Sequence, residues 1–377
     1  GNDGAFREDL IMTSRREFIG MAAGALASSP LLALTAGGAP AVQVATRPLS
    51  ILVLGGTGFL GPHQIEYAVA RGHRVTLFNR GSNAGMFGDA VEELVGNRDS
   101  KIDAGLSALE GSRSWDLVID NSGYVPRHVR DSARLLKDRC GRYLYISTVA
   151  VYDFDAASVF PESAKLAELA DPDVEEVTGE TYGPLKAACD LQAREILGDA
   201  CTVVRPTYVV GPGDHTDRFT YWVERVARGG DVLAPAGPAR EVQWVDARDL
   251  CPWVVTLGEQ GTAGIFNAAG PSSPVDRSGL MWGLRALTAE PVTFHWPADE
   301  LLDELDINQP MMGREDSYHF ANEASVNAGL RYRSLADTAV DTLSWWKSLP
   351  GDRRENPRRW PTAEQERDAI QRIVNAG

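Results

Sequence analysis

The stretch Tyr182-Gly-Pro-Leu-Lys186 holds two side chains that could do chemistry together. Four residues apart on a helix they share one face, so an ammonium can sit beside a phenol. The cation favours the phenolate and draws the tyrosine toward the range of a useful general acid–base. Such a pair can pass a proton to or from a substrate oxygen, and the lysine can also hold the ribose of a nicotinamide cofactor. Taken alone, Tyr-x-x-x-Lys occurs often by chance and reads equally as a surface pair. Its setting raises it above that, because a Ser-Thr strand end and a glycine motif precede it.

The glycine motif is Gly55-Gly56-Thr57-Gly58-Phe59-Leu60-Gly61. Leu49 to Leu54 before it is a continuous apolar run suited to a strand buried on both faces, and "PHQIEYAVARGH" after it has helical apolar spacing. Gly55 allows a tight turn, Gly58 lets backbone amides approach a pyrophosphate, and Gly61 permits close helix–strand packing. The amides of Phe59, Leu60 and Gly61 then open a helix whose positive dipole end suits phosphates. "HRVTLFNRG" supplies the second strand. It ends on Asn79-Arg80, where an acidic residue would select NAD; Arg80 instead can pair with a 2′-phosphate and stack on adenine, so the expected cofactor is NADP, with NAD as the alternative. The runs 114–124 and 141–152 are further strands alternating with amphipathic helices. That pattern predicts an α/β fold: a Rossmann-like, doubly wound parallel sheet with a smaller, mixed C-terminal substrate-binding part.

The chain has 377 residues, enough for one large or two closely joined domains, and 44% hydrophobic residues give it a sizeable core. Residues 47–210 are expected to form the dinucleotide-binding domain, with strands returning at about 241–269. Residues 211–350 would form the substrate-binding part, and 351–377 a polar tail. A net charge of −15 repels phosphate backbones and anionic membranes, which argues against a nucleic-acid partner. Cys140, Cys189, Cys201 and Cys251 lack metal-ligand or Cys-x-x-Cys spacing and read as small apolar residues. No His or carboxylate cluster suggests a metal.

Residues 1–46 read differently. Ser14-Arg15-Arg16-Glu17-Phe18-Ile19 resembles the twin-arginine signal, followed by an apolar Ala- and Gly-rich stretch to about Leu34 and small residues at Ala39 and Ala41. That stretch is too short for a comfortable membrane span, so no stable insertion is expected. Met12 is a plausible start, with residues 1–11 lying upstream of it. The expectation is a protein folded in the cytoplasm and exported by the twin-arginine machinery to the periplasm or beyond.

From about Leu49 to Trp346 the chain resembles the extended short-chain dehydrogenase/reductase family, in particular its NAD(P)-dependent epimerase/dehydratase branch. "GGTGFLG", "YLYISTVAVY", "YGPLK", "VVRPTYVVGPGD" and "QWVDARDL" match that family in order. The resemblance implies that Thr148, with Ser147 as runner-up, orients the substrate oxygen, that Tyr182 transfers the proton and that Lys186 tunes the tyrosine. It implies cofactor contacts at Gly123, at Pro206 and at Asn97, the last where an aspartate usually accepts from adenine. Tyr124 could line the substrate pocket, and Asp214, His215 and Arg218 could reach a polar ligand. Nucleotide-sugar enzymes of the family place an arginine where this chain has Val242. An uncharged sugar or other hydroxylated small molecule is therefore the expected substrate. Family members often pair through a four-helix bundle, and "VPRHVRDSARLL" and "PLKAACDLQAREIL" could build a homodimer that way.

Export and a nicotinamide cofactor conflict unless the cofactor is never consumed. An epimerase-type reaction, in which hydride leaves the substrate and returns, meets that condition. The alternatives are a net NADP-dependent carbonyl reductase or alcohol dehydrogenase and, more remotely, a non-catalytic RNA-binding member, since similar "YGPLK" sequences occur among chloroplast RNA-binding proteins.

Overall fold

The computed structural model describes residues 42–313, 318–358 and 360–376. The expected twin-arginine segment lies outside these residues. The chain divides into two compact units, one built from residues up to Tyr145 with Leu169–Cys201, the other from Ile146–Glu168 with Thr202 onward.

In the first unit, β1 (Ser50–Leu54) leads through the glycine turn into α1 (Leu60–Ala70), and β2 (Arg74–Asn79) and β3 (Val91–Val95) follow. β4 (Trp115–Asp120), α2 (Pro126–Leu136), β5 (Cys140–Ile146) and α3 (Tyr182–Leu197) complete it. The strands pair in parallel in the order β5-β4-β1-β2-β3. Ile51, Leu52, Val53 and Leu54 are all buried, as a central strand covered on both faces requires. α1 buries Gly61, Gln64, Ile65 and Ala68, and α2 buries Val129, Ser132, Ala133 and Leu136, each set at helical spacing. Pro126 opens α2 at a position where its missing N–H costs no hydrogen bond. α2 and α3, the helices expected to build a dimer, pack against each other within the chain.

The second unit includes β6 (Val159–Phe160), β7 (Cys201–Pro206), β8 (Tyr208–Val210), α4 (Arg218–Ala227) and β9 (Gly230–Leu233). It continues with β10 (Trp244–Asp246), α5 (Ala247–Gln260), β11 (Gly264–Ala268), α6 (Arg277–Leu284), β12 (Val292–His295) and β13 (His319–Phe320). α7 (Leu335–Ser348) and α8 (Ala363–Ala376) end it. β7 and β11 pair in parallel, which brings the parallel strands of the α/β fold to seven. Three further two-stranded pairs, β8–β10, β9–β12 and β6–β13, are also parallel and lie outside that sheet. Its core gathers Phe219, Trp222, Val223, Met281 and Leu284. Among the described residues no helix is long and apolar enough to cross a membrane.

The polar tail is clasped to this unit. Buried Asp217 accepts from Arg353 at 2.6 Å and from the Arg358 amide at 2.8 Å, while its carbonyl accepts from the Trp360 indole. Farther on, Glu366 accepts from Arg225 Nε at 2.7 Å and from the Leu233 amide at 3.1 Å, and Ala369 of α8 is fully buried. Hydrogen bonds to a charged group of this kind contribute about 2 kcal/mol. Glu366→Gln is therefore expected to lower the free energy of unfolding by about that much. Urea unfolding checks this, and an unchanged midpoint would mean that the clasp carries no stability.

Candidate active site

The lysine of the Tyr-x-x-x-Lys pair projects from α3 into the first unit and is only 2% exposed. Its Nζ donates to the Gly123 carbonyl at 2.8 Å and lies 4.3 Å from the ring centroid of Tyr145 and 5.2 Å from that of Tyr124. Tyr145 donates to the same carbonyl at 2.7 Å. The Tyr124 ring in turn lies 6.4 Å from the ring of Tyr182, the first residue of α3. The ammonium, the half-buried Tyr182 and the partly exposed Tyr124 thus form one cluster. Burial pushes Lys186 down to about 8. Burial also raises Tyr124, helped by Tyr182 and Asp120, and raises Tyr145 well above the usual phenol range. Both are held as neutral phenols.

The glycine turn separates three roles. Gly55 has φ +79°, a conformation that side chains rarely adopt. A Cβ on Gly61 would lie 2.1 Å from the Gly56 carbonyl oxygen, so that glycine lets α1 pack on the turn. A Cβ on Gly58 would meet nothing within 4 Å. The open side of the turn therefore lies at Gly58, next to Phe59 and the first turn of α1, and this is where a pyrophosphate fits. At the end of β2 the Asn79 Oδ1 accepts from the Gly81 amide at 2.6 Å, its buried Nδ2 has no hydrogen-bond partner among the described residues, and Arg80 is exposed. The orphaned amide and the open cradle fit a dinucleotide. Asn97 uses its Oδ1 to accept from the Asp99 amide at 3.0 Å.

Gly123 answers to the protein's own packing. A Cβ there would sit 2.5 Å from Val129 Cγ2 and 2.7 Å from Tyr145 Cε2, so the close approach requiring glycine is to these side chains.

The remaining expected residues belong to the second unit. Thr148 Oγ1 accepts from the Ala150 amide at 3.2 Å and caps the turn Val149–Val151, whereas the buried Ser147 hydroxyl has no partner among the described residues. Pro206 ends β7 in register with Ala268. Asp214 is buried and accepts from the Thr216 amide and hydroxyl, Arg218 Nε donates to the same hydroxyl at 2.9 Å, and the Arg218 guanidinium stacks 5.1 Å over Tyr208. Burial raises Asp214 and lowers His215. These contacts build the entry to α4. Val242 is buried in the core of this unit, and nearby Arg240 pairs with Asp299 at 3.0 Å. The cysteines are free thiols, three of them buried, and no metal-holding cluster occurs among the described residues.

Sequence reasoning missed Arg98 and Asp120. Asp120 ends the apolar strand β4, is fully buried, and accepts from Tyr143 at 2.6 Å, Arg98 at 2.8 Å and the Ser122 amide at 3.0 Å. A carboxylate closing the run "WDLVID" was the available signal, since such a group is costly unless paired.

A parallel sheet with a glycine turn feeding α1 and a Tyr–Lys pair opening a helix describes a nucleotide-dependent oxidoreductase-type fold. Residues 51–269 match the model of the NAD dependent epimerase/dehydratase family, and the chain belongs to that family. It is 26% identical over 244 residues to the chloroplast stem-loop binding protein of 41 kDa b from Arabidopsis thaliana, which covers 60% of this chain and 60% of that protein. The fold is similar to that of the Bordetella bronchiseptica enzyme WbmG in complex with NAD and UDP, with TM-score 0.60 and 15% identity over 81% of this chain and 96% of that one. It is also similar to the NAD complex of dTDP-glucose 4,6-dehydratase from Bacillus anthracis, with TM-score 0.58 and 15% identity over 79% and 96%.

Proposed function

We propose that this chain is an epimerase/dehydratase-type enzyme acting on a hydroxyl or carbonyl of a sugar-like small molecule. The observation that carries the reading is the buried Lys186 ammonium, anchored on the Gly123 carbonyl within the tyrosine cluster that includes Tyr182. A nicotinamide nucleotide, when bound by Gly55–Gly61, Asn79, Arg80, Asn97 and Lys186, supplies a hydride acceptor that can return what it takes. Tyr182, as the phenolate that the Lys186 ammonium stabilises, takes the proton of the substrate hydroxyl and becomes the phenol, and Thr148 orients the substrate oxygen. Both protein steps reverse without net proton loss, which suits a reaction that ends as it began.

Absorbance in the nicotinamide band tests this. Protein supplied with one equivalent of nucleotide and a panel of hydroxylated sugars is expected to convert substrate with no net change in absorbance. Stoichiometric consumption of NADPH with a ketone would instead establish the net reductase. The reading also prefers NADP. Arg80→Ala is expected to weaken NADPH on the order of tenfold, about 1.4 kcal/mol, and to leave NADH unchanged. Titration of both nucleotides checks it, and equal losses would remove the preference. Export would fit an enzyme that keeps its nucleotide; secretion of a fusion through residues 13–27 would test that segment.

The Arabidopsis relative's name favours one further reading, a stem-loop-binding role. A net charge of −15 opposes it, and a salt-dependent gel shift with a stem-loop RNA decides.

A further inference from the structure

We propose that Arg98 and Asp120 form a positioning unit for the Lys186 ammonium, fixing the turn whose Gly123 carbonyl receives Nζ. The geometry ties the turn from both sides. On one side Asp120 holds the Ser122 amide while bound to Arg98 and Tyr143, and Ser122 Oγ donates to the Leu54 carbonyl at 3.2 Å. On the other, Tyr145 and Lys186 both donate to Gly123. Between them Gly123 has no room for a side chain: a Cβ there would meet Val129, Tyr145 and Asp120 Oδ2, the last at 3.4 Å. The carbonyl is therefore set by the ion pair as much as by the lysine it accepts.

The pair also brings opposite charges to bear on one buried amine. The groups facing Lys186 are Asp120 at the end of β4, Arg98 after β3, Tyr124 and Tyr145, and on its own helix Cys189 and Asp190. Asp120 favours the charged lysine and Arg98 disfavours it. In a buried setting such effects are screened little by salt. Removing one partner should therefore move the lysine titration one way, and removing the other should move it the opposite way. A purely structural role gives no such pair of opposed shifts.

The functional meaning of this unit rests on Tyr182 and Lys186 being the acid–base pair, but the experiment reads the lysine itself and can fail separately from that reading. The full chain carries five lysines, so 13C-lysine labelling gives a simple spectrum in which Lys186→Arg identifies one signal. In the unsubstituted protein this signal is expected to titrate near 8. Asp120→Asn should lower the midpoint by roughly half to one unit, and Arg98→Gln should raise it by a similar amount. Unmoved midpoints, or shifts of the same sign, overturn the proposal. If Asp120→Asn does not fold, Arg98→Gln decides alone, its upward shift supporting the proposal and its absence refuting it.

Discussion

Tyr182→Phe is expected to lower turnover by roughly 10²–10⁴-fold, about 3–5 kcal/mol of barrier, while nucleotide affinity stays within about twofold. The phenol oxygen is the only atom removed. The ring keeps its place against Tyr124, and the Lys186 anchor on Gly123 does not involve the oxygen that is removed. Tyr124→Phe is the matched control. Tyr124 stands outside the Tyr-x-x-x-Lys pair and its ionised form is disfavoured, so losing its hydroxyl should cost less than tenfold. Steady-state rates on whichever hydroxylated sugar is turned over check both. Equal losses in the two variants would show that the cluster binds substrate through both rings without either acting as the acid–base group.

The second large effect separates two glycines of one turn. Gly61→Ala places a methyl group 2.1 Å from a backbone carbonyl oxygen, and no flexible side chain can give way there. α1 would have to move off the turn, at an expected cost of about 3 kcal/mol, with nucleotide binding lost as a consequence. Gly58→Ala places its methyl in open space, so thermal stability should hold while nucleotide affinity falls at least about tenfold, because the methyl occupies the approach of the phosphates. Thermal unfolding and nucleotide titration on both variants distinguish the cases. If Gly58→Ala binds as tightly as the unsubstituted chain, the phosphates do not lie there.

Much of this was legible in the chain because it depends on local pattern. The apolar run Leu49–Leu54, the glycines and the helical spacing after them fix β1, the turn and α1 within a few residues of one another. Tyr182 and Lys186 are one helical turn apart, which places both on α3; the cluster they join is completed by Gly123, Tyr124 and Tyr145, which that spacing does not show. What stayed hidden depends on contacts distant in sequence. Arg98 meets Asp120 across the end of two strands, and neither residue belongs to a motif. The tail looks polar because its anchoring groups are polar: Glu366 and Arg225 are 141 positions apart and satisfy each other in a partly buried place that composition cannot show. Asp214, His215 and Arg218 were ambiguous for a different reason, since residues that reach a ligand and residues that close a loop are of the same types. The hydrogen bonds through Thr216 show the loop-closing contacts.

The central claim is that a nicotinamide dinucleotide rests on the Gly55–Gly61 turn of this chain. Calorimetric titration of the purified, nucleotide-stripped protein with NADPH and with NADH tests it most directly. One site per chain is expected, with Kd on the order of micromolar or tighter and NADPH ahead of NADH. Heat indistinguishable from dilution for both nucleotides, from protein shown to be folded, would contradict the account.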